Sequence, residues 1–127
     1  MIKRVFFDLG LTLAESDVPH RYVERFSRLG HPITGDQAQR AYHLANKYFM
    51  RERPGELAQH SQTMLRDFLQ RVCMELEVPQ LGESLFRLTV EDPLPAKWSA
   101  FPFSGEVLRQ LGERGVKTGL ISNWDPS

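Results

Sequence analysis

The residues best suited to chemistry lie within the first dozen positions. An apolar run, residues 2–8, ends in Asp8, and Gly10 and Thr12 follow shortly after it. A buried strand that ends in an acid and breaks into a tight turn places that acid at the carboxyl edge of a sheet, where open α/β sheets bind their ligands. A carboxylate held there can act as a nucleophile toward phosphorus or carbon. Considered without the rest of the sequence, Asp8 also fits a purely structural role, in which its carboxylate caps a turn or pairs with a lysine.

A second polar pair follows an apolar run near the other end of the sequence. Residues 116–122 read as a strand, and they lead into Ser122 and Asn123. A hydroxyl and a backbone N–H at such a strand end can bind a phosphoryl group. A strand end followed by a helix-capping Ser-Asn pair is the other interpretation.

Taken together, the two ends resemble the haloacid dehalogenase-like (HAD) hydrolases. The first motif of that family is a hydrophobic strand followed by Asp, any residue, Asp, Gly and Thr, and its second is a hydrophobic strand ending in Ser or Thr, often followed by Asn. Asp8 and Thr12 match the first motif, and Ser122 with Asn123 matches the second. The helical pattern before the second motif, residues 103–111, is also similar to the family's. The resemblance is anchored at both ends, with an insertion of suitable length for a helical cap between them.

The resemblance implies a role for each matching residue. Asp8 would be the nucleophile and a ligand of Mg²⁺, and the backbone carbonyl of Gly10 would be a second ligand. Thr12, Ser122 and Asn123 would bind the substrate phosphate. The implied activity is that of a Mg²⁺-dependent phosphatase that acts on a small phosphorylated metabolite.

The sequence departs from the family pattern in two ways. Gly10 replaces the second acid and Leu11 replaces the glycine, and the later basic and acidic motifs do not follow Ser122. Losing a positioned general acid typically lowers a rate by ~10²–10⁴-fold. We therefore expect a truncated hydrolase, the amino-terminal part only, with little or no phosphatase activity by itself. The alternative is a catalytically degenerate HAD scaffold that serves as a non-enzymatic interaction module.

The hydrophobic pattern predicts two strands separated by helices. Apolar residues at helical spacing begin near Val18, a capping-box signal begins a helix at Thr34, and a Pro-Gly pair breaks the chain at 54–55. The remaining predicted elements are a turn and loop at 9–16, helices at about 57–77 and 82–91, a proline-rich connector at 92–103, and a helix from its cap Ser104 to Gly115.

This order predicts an α/β fold with an incomplete Rossmann-like parallel sheet. Residues 1–16 and 97–127 would form a partial HAD-like core, and residues 17–96 would form an inserted α-helical cap. The alternative for residues 17–96 is a helical bundle with no role as a cap. Parallel strands joined by a long crossover place Asp8 and Ser122 at one sheet edge. Two strands are too few for an independent sheet. We therefore expect partly exposed strands and self-association or completion by another chain.

Composition sets the broad class of protein. Sixteen basic and sixteen acidic residues cancel, which gives no support for nucleic-acid or membrane-surface binding. A single cysteine, Cys73, excludes an internal disulfide and fits a reducing compartment. No apolar run approaches a membrane span, and Asp8 comes too early for a signal sequence, so we expect a cytoplasmic protein. The four histidines show no metal-like spacing.

Overall fold

The computed structural model describes residues 1–122 and divides the chain into two compact units. One unit comprises Met1–Asp17 and the segment from Ala96 onward, and the other is Val18–Pro95. The described part of the chain is mixed α/β, with five α-helices and a small parallel sheet of two strands. The division lies one residue from each boundary predicted from the sequence.

The parallel sheet of the first unit pairs the two apolar runs. Strand β1 (Arg4–Phe7) lies beside β4 (Lys117–Leu120), with Arg4 opposite Lys117 and Phe7 opposite Leu120. Helix α5 (Ser104–Glu113) precedes β4 and contacts it. The prediction of two parallel neighbouring strands is therefore confirmed, although each strand is shorter than its apolar run.

A second pair of strands lies where the sequence predicts a loop and a connector. Strand β2 (Ala14–Ser16) pairs antiparallel with β3 (Trp98–Ala100). Beyond the strands, the N–H of Asp17 donates to the carbonyl of Lys97 at 3.0 Å, and the N–H of Lys97 donates to Oδ1 of Asp17 at 2.8 Å. The loop and connector predictions were wrong because three-residue strands are too short to show an alternating pattern. The chain thus leaves and re-enters this unit along a paired ribbon.

The start of α5 also differs from the prediction. The residue at the N-cap position is Phe103, and Ser104 is already helical. The Ser104 side chain is buried and its hydroxyl donates to the backbone carbonyl of Leu13 at 2.6 Å. Ser104 therefore connects the helix to the segment after β1 instead of capping the helix.

Four helices form the second unit. The second of them, α2 (Gly35–Glu52), begins with the predicted capping box, in which Gln37 N–H donates to Thr34 Oγ1 at 3.2 Å and Thr34 N–H donates to Gln37 Oε1 at 2.8 Å. The helix predicted from 57 begins later, because a 3₁₀ turn at Glu56–Ala58 precedes it and Ser61 caps it. The helices are α1 (Val18–Arg28), α2 (Gly35–Glu52), α3 (Gln62–Glu75) and α4 (Gly82–Glu91).

The core of the helical unit is aromatic and aliphatic. Phe26, Phe49, Leu69 and Leu85 are its largest side chains with almost no exposed surface. They come from all four helices, so each helix contributes an apolar stripe to one core. Within residues 1–122 no helix has both the length and the apolar character needed to cross a bilayer.

One buried cation connects the first and last helices of this unit. Arg25 of α1 is buried, and its guanidinium donates to the Asp92 carbonyl at 3.4 Å, at the carboxyl end of α4. Arg28 pairs with the Asp92 carboxylate at 2.6 Å. Burial lowers the pKa of Arg25 from its usual value, and a cation at a helix carboxyl end interacts favourably with the helix dipole.

Candidate functional site

Asp8 and Ser122 lie at the same edge of the parallel sheet. Asp8 directly follows β1, and Ser122 follows β4 after one intervening residue, Ile121. The backbone pairing continues past the strands, because Ile121 N–H donates to the Phe7 carbonyl at 2.9 Å. Both residues are exposed. The strands thus bring a carboxylate and a hydroxyl, predicted from opposite ends of the sequence, to one carboxyl edge.

A tight turn after Asp8 holds the rest of the first motif. The carbonyl of Leu9 accepts backbone N–H groups from Thr12 at 3.4 Å, Leu13 at 3.0 Å and Ala14 at 3.1 Å. Thr12 lies exposed in this turn. These bonds satisfy the backbone N–H groups of residues 12–14, and the Thr12 side chain stays at the surface.

Gly10 occupies an open position in this turn. A Cβ added to it would meet no other atom within 4 Å, and its backbone is outside the left-handed region. Side chains other than hydrogen are therefore sterically compatible with this position. The lack of an acid at position 10 is a property of the sequence and not a requirement of the local backbone.

Leu11 is the strained residue of the turn. Its φ is +59°, and its side chain is 78% exposed. The left-handed conformation costs an L-residue roughly 1–2 kcal/mol, and glycine adopts it without that penalty. The resembling family has glycine at this position of its first motif, so the backbone geometry here suits that pattern better than the residue present.

Leu11→Gly is expected to raise the free energy of unfolding by up to about 1 kcal/mol, because relief of strain exceeds the added entropy of the unfolded chain. Urea denaturation of both proteins measures the difference. Leu11→Ala is the matched control: it removes the same exposed side chain but keeps the strain, and should show no gain. A Leu11→Gly variant less stable than the parent would contradict this account of the turn.

An apolar groove lies beside the candidate site in the same unit. Its volume is about 450 Å³, and its walls include Phe7, Leu9, Leu13, Leu108 and Leu120. Asp8, Thr12 and Ser122 do not line it. A phosphate would lose its hydration in this groove without gaining charged partners. The exposed edge at Asp8 is therefore the better position for an anionic substrate.

Two oxygen donors that the resemblance assigns to Mg²⁺ lie in the turn after β1. Mg²⁺ is usually held by one or two carboxylates, with water and substrate phosphate completing an octahedron. The Asp8 carboxylate and the Gly10 carbonyl are oxygen donors of the right kind, in one turn. Within residues 1–122, no group of three or more His, Cys, Asp or Glu side chains could hold a metal ion. The two donors suit Mg²⁺ by chemical type. The resemblance implies an acid of the family's later motifs as a third protein ligand, and water and substrate phosphate would complete the octahedron.

The cysteine is unsuited to reactivity. Cys73 lies in the core of the helical unit, and burial raises the pKa of its thiol to about 12. The thiolate, which is the nucleophilic form, is therefore scarce at neutral pH.

Leu13 and Ser104 position the candidate site, although no sequence pattern marks either residue for this role. The Leu13 carbonyl accepts the Ser104 hydroxyl at 2.6 Å and the Phe101 N–H at 3.0 Å. This contact fixes the end of the turn that carries Gly10 and Thr12. A serine at the start of a predicted helix indicates an N-cap. The sequence around Ser104 does not show that its hydroxyl bonds instead to the carbonyl of Leu13, which is distant in the sequence.

No family model matches the chain, and a search of curated proteins also finds no match. The resemblance to the HAD hydrolases therefore depends on the two motifs and their placement. Asn123, the remaining predicted phosphate-binding residue, lies outside the described residues.

Proposed function

We propose that this chain carries the aspartyl-nucleophile site of a HAD-like hydrolase, a Mg²⁺-dependent phosphatase that acts on a small phosphorylated metabolite. The observation that carries the proposal is the shared sheet edge of Asp8 and Ser122, which follow paired parallel strands. The open turn at Gly10 and the exposed Thr12 support it further.

The proposed reaction begins at the Asp8 carboxylate. Its oxygen attacks the substrate phosphorus, a new P–O bond forms, and the bond from phosphorus to the leaving oxygen breaks, giving an aspartyl phosphate. The Ser122 hydroxyl donates a hydrogen bond to a phosphoryl oxygen and orients the group for attack. Bound Mg²⁺, held by Asp8 and the Gly10 carbonyl, would supply positive charge to the phosphoryl oxygens. Water then attacks the aspartyl phosphate, releasing phosphate and the Asp8 carboxylate.

Gly10 restricts the substrates that this site can use. It has no proton to donate, so the leaving oxygen departs with its negative charge. Substrates whose leaving group is a weak base, such as acyl phosphates, are therefore favoured. The same glycine cannot activate water in the second step. We therefore expect the aspartyl phosphate to form faster than it is hydrolysed, and to accumulate.

Incubation with acetyl phosphate and Mg²⁺ is expected to add one phosphoryl group to the chain at Asp8, with acetate as the leaving group. Intact-mass spectrometry measures the addition, and peptide mapping locates it. Asp8→Asn should abolish labelling, and omission of Mg²⁺ should lower it strongly. Asp36→Asn, which removes an exposed carboxylate from the helical unit, is the matched control and should label like the parent.

The second candidate function is a non-enzymatic interaction module on the same scaffold. Gly10, in place of an acid, is the observation that favours it. A folded chain that gains no phosphoryl group, or gains it equally with Asp8→Asn, would refute the nucleophile and favour this candidate.

A further inference from the structure

The outer face of α2 carries a line of basic side chains. Arg40, His43, Lys47 and Arg51 follow one another three or four residues apart, which places them on one side of the helix. All four are exposed, whereas the other side of the helix holds its buried alanines and Phe49. At 1.5 Å per residue, the line runs for about 16 Å. We refer to these four exposed residues as the basic stripe.

The cations of the basic stripe have no acidic partners within the described part of the chain. Arg40, Lys47 and Arg51 take part in none of the ion pairs there. Other arginines of the helical unit each pair with a carboxylate: Arg28, Arg53, Arg66, Arg71 and Arg87. Asp36 precedes the stripe by one turn, and residues 37–51 contain no acid. Positive charge therefore collects on this face, although the formal charge of the whole chain is zero.

The exposure of the stripe follows from packing inside the helical unit. In the sequence, Val18–Pro95 lies between the two segments of the other unit, and α2 packs against α1 and α3. Lys47 and Arg51 are four residues apart, a spacing at which like charges destabilise a helix. A bound anion would relieve this repulsion, so the stripe is suited to recognise negative charge.

We propose that the basic stripe binds a helix of another protein, one whose Asp or Glu side chains recur every three or four residues along one face. The two helices have the same rise per residue, so acids at this spacing come level with successive cations of the stripe. Met50 borders the stripe and is 70% exposed. It would contact an apolar side chain of the partner, because methionine is enriched at the centres of protein interfaces.

The chemistry of this face favours a protein over other polyanions. A helix that lies on a membrane buries its apolar face among the lipids, but the apolar face of α2 lies in the core of the bundle. Single-stranded nucleic acids stack their bases on exposed aromatic rings. Tyr42 and Tyr48 of α2 are only partly exposed, and each packs against a phenylalanine ring. The face therefore offers charge at a helical spacing and no surface for stacking.

The partner is a different protein and not a second copy of this chain. Two exposed glutamates on α4, Glu83 and Glu91, have Arg87 between them, and Arg87 pairs with Glu83. On α5 the glutamates at 106 and 113 both pair with Arg109, which lies between them. Each glutamate line among these described helices is thus interrupted by an arginine, which would face a cation of the stripe.

A labelled helical peptide tests the proposal by fluorescence anisotropy. The probe is alanine-based, about 18 residues long so that it spans the stripe, with glutamates every three or four residues on one face and one leucine beside them. A peptide of the same composition, with its glutamates spread around the helix, should bind at least about fivefold more weakly. A peptide with lysine in place of glutamate should not bind. Binding of the aligned probe should weaken as salt is added.

Substitutions in the stripe locate the binding. The double variant Lys47→Gln with Arg51→Gln should weaken binding of the aligned probe by about fivefold or more, because each exposed ion pair contributes a few-fold to affinity. Arg87→Gln with Arg114→Gln makes the same charge change at exposed positions outside the stripe and should bind like the parent. Glutamine is a good helix former, and circular dichroism checks that both variants are folded.

The proposal does not rest on the phosphatase site, because no residue of the stripe belongs to that site. It is overturned if the aligned probe binds no more tightly than the dispersed one, or if both double variants bind it equally. A DNA duplex, or vesicles that contain phosphatidylserine, serve as competing probes. If either binds the parent more tightly than the aligned peptide and loses affinity in the stripe variant, the face recognises that polyanion and the proposed protein partner is refuted.

Discussion

Replacing Gly10 by aspartate is expected to raise the turnover of p-nitrophenyl phosphate by about 10²-fold or more, within the ~10²–10⁴-fold range of a positioned general acid. The site has space for the change, because a Cβ at this position meets nothing within 4 Å and the backbone is not left-handed. The new carboxyl would follow Asp8 by two positions in the same turn. There it would protonate the leaving oxygen and then activate water against the aspartyl phosphate.

Gly10→Asn is the matched control for this gain. It has nearly the same size and the same effect on the backbone, but it cannot transfer a proton, so its turnover should remain at the parent's level. The combination of Gly10→Asp with Asp8→Asn should be inactive. Equal turnover of the Asp and Asn variants at position 10 would refute the role assigned to this position. The assay needs Mg²⁺ and a comparison of steady-state rates per folded protein.

Phe49→Ala is expected to lower the free energy of unfolding of the helical unit by about 3–5 kcal/mol, the usual range for removing a buried aromatic side chain. Phe49 is 1% exposed, and its ring lies 5.7 Å from that of Phe68 and 5.4 Å from that of Tyr48. The Arg53 guanidinium lies 5.0 Å above its ring. The substitution removes these contacts together and leaves a cavity among helices that cannot fully collapse. A loss of this size is a large share of the ~5–15 kcal/mol that stabilises a typical domain.

The neighbouring Met50 provides the control. It lies on the same helix but is 70% exposed, so Met50→Ala should change stability by less than about 0.5 kcal/mol. Urea denaturation followed by far-ultraviolet circular dichroism reports on the helices directly. If Phe49→Ala costs less than about 1 kcal/mol, the helical unit is not held by this core.

The sequence predicts those parts of the fold that have strong local signals. Two apolar runs give β1 and β4 and their parallel pairing, and the capping box at Thr34 correctly begins α2. The short strands β2 and β3 were missed because each owes its conformation to pairing with a segment distant in the sequence. Ser104 was misassigned for the same reason, since its partner is the carbonyl of Leu13.

The candidate site shows the same limit. The shared edge of Asp8 and Ser122 follows from strand order, so the sequence could predict it. The left-handed backbone at Leu11 could not be predicted from its residue type, because leucine rarely adopts that conformation. The open space at Gly10 depends on which atoms surround the turn, and this is a property of packing alone.

The ribbon of β2 and β3 changes how costly it is to bring the two ends of the chain together. Arg4 pairs with Lys117, so nearly the whole chain lies between two hydrogen-bonded neighbours. Ser16 is already paired with Trp98, and this removes the helical unit from the loop that must close. Each halving of a loop saves roughly 0.6 kcal/mol of closure entropy, so this shortcut lowers the entropic cost of pairing β1 with β4 by about 1 kcal/mol. The closure entropy of the insertion falls on the pairing of β2 with β3, so the length of the insertion has little further effect on the pairing of β1 with β4.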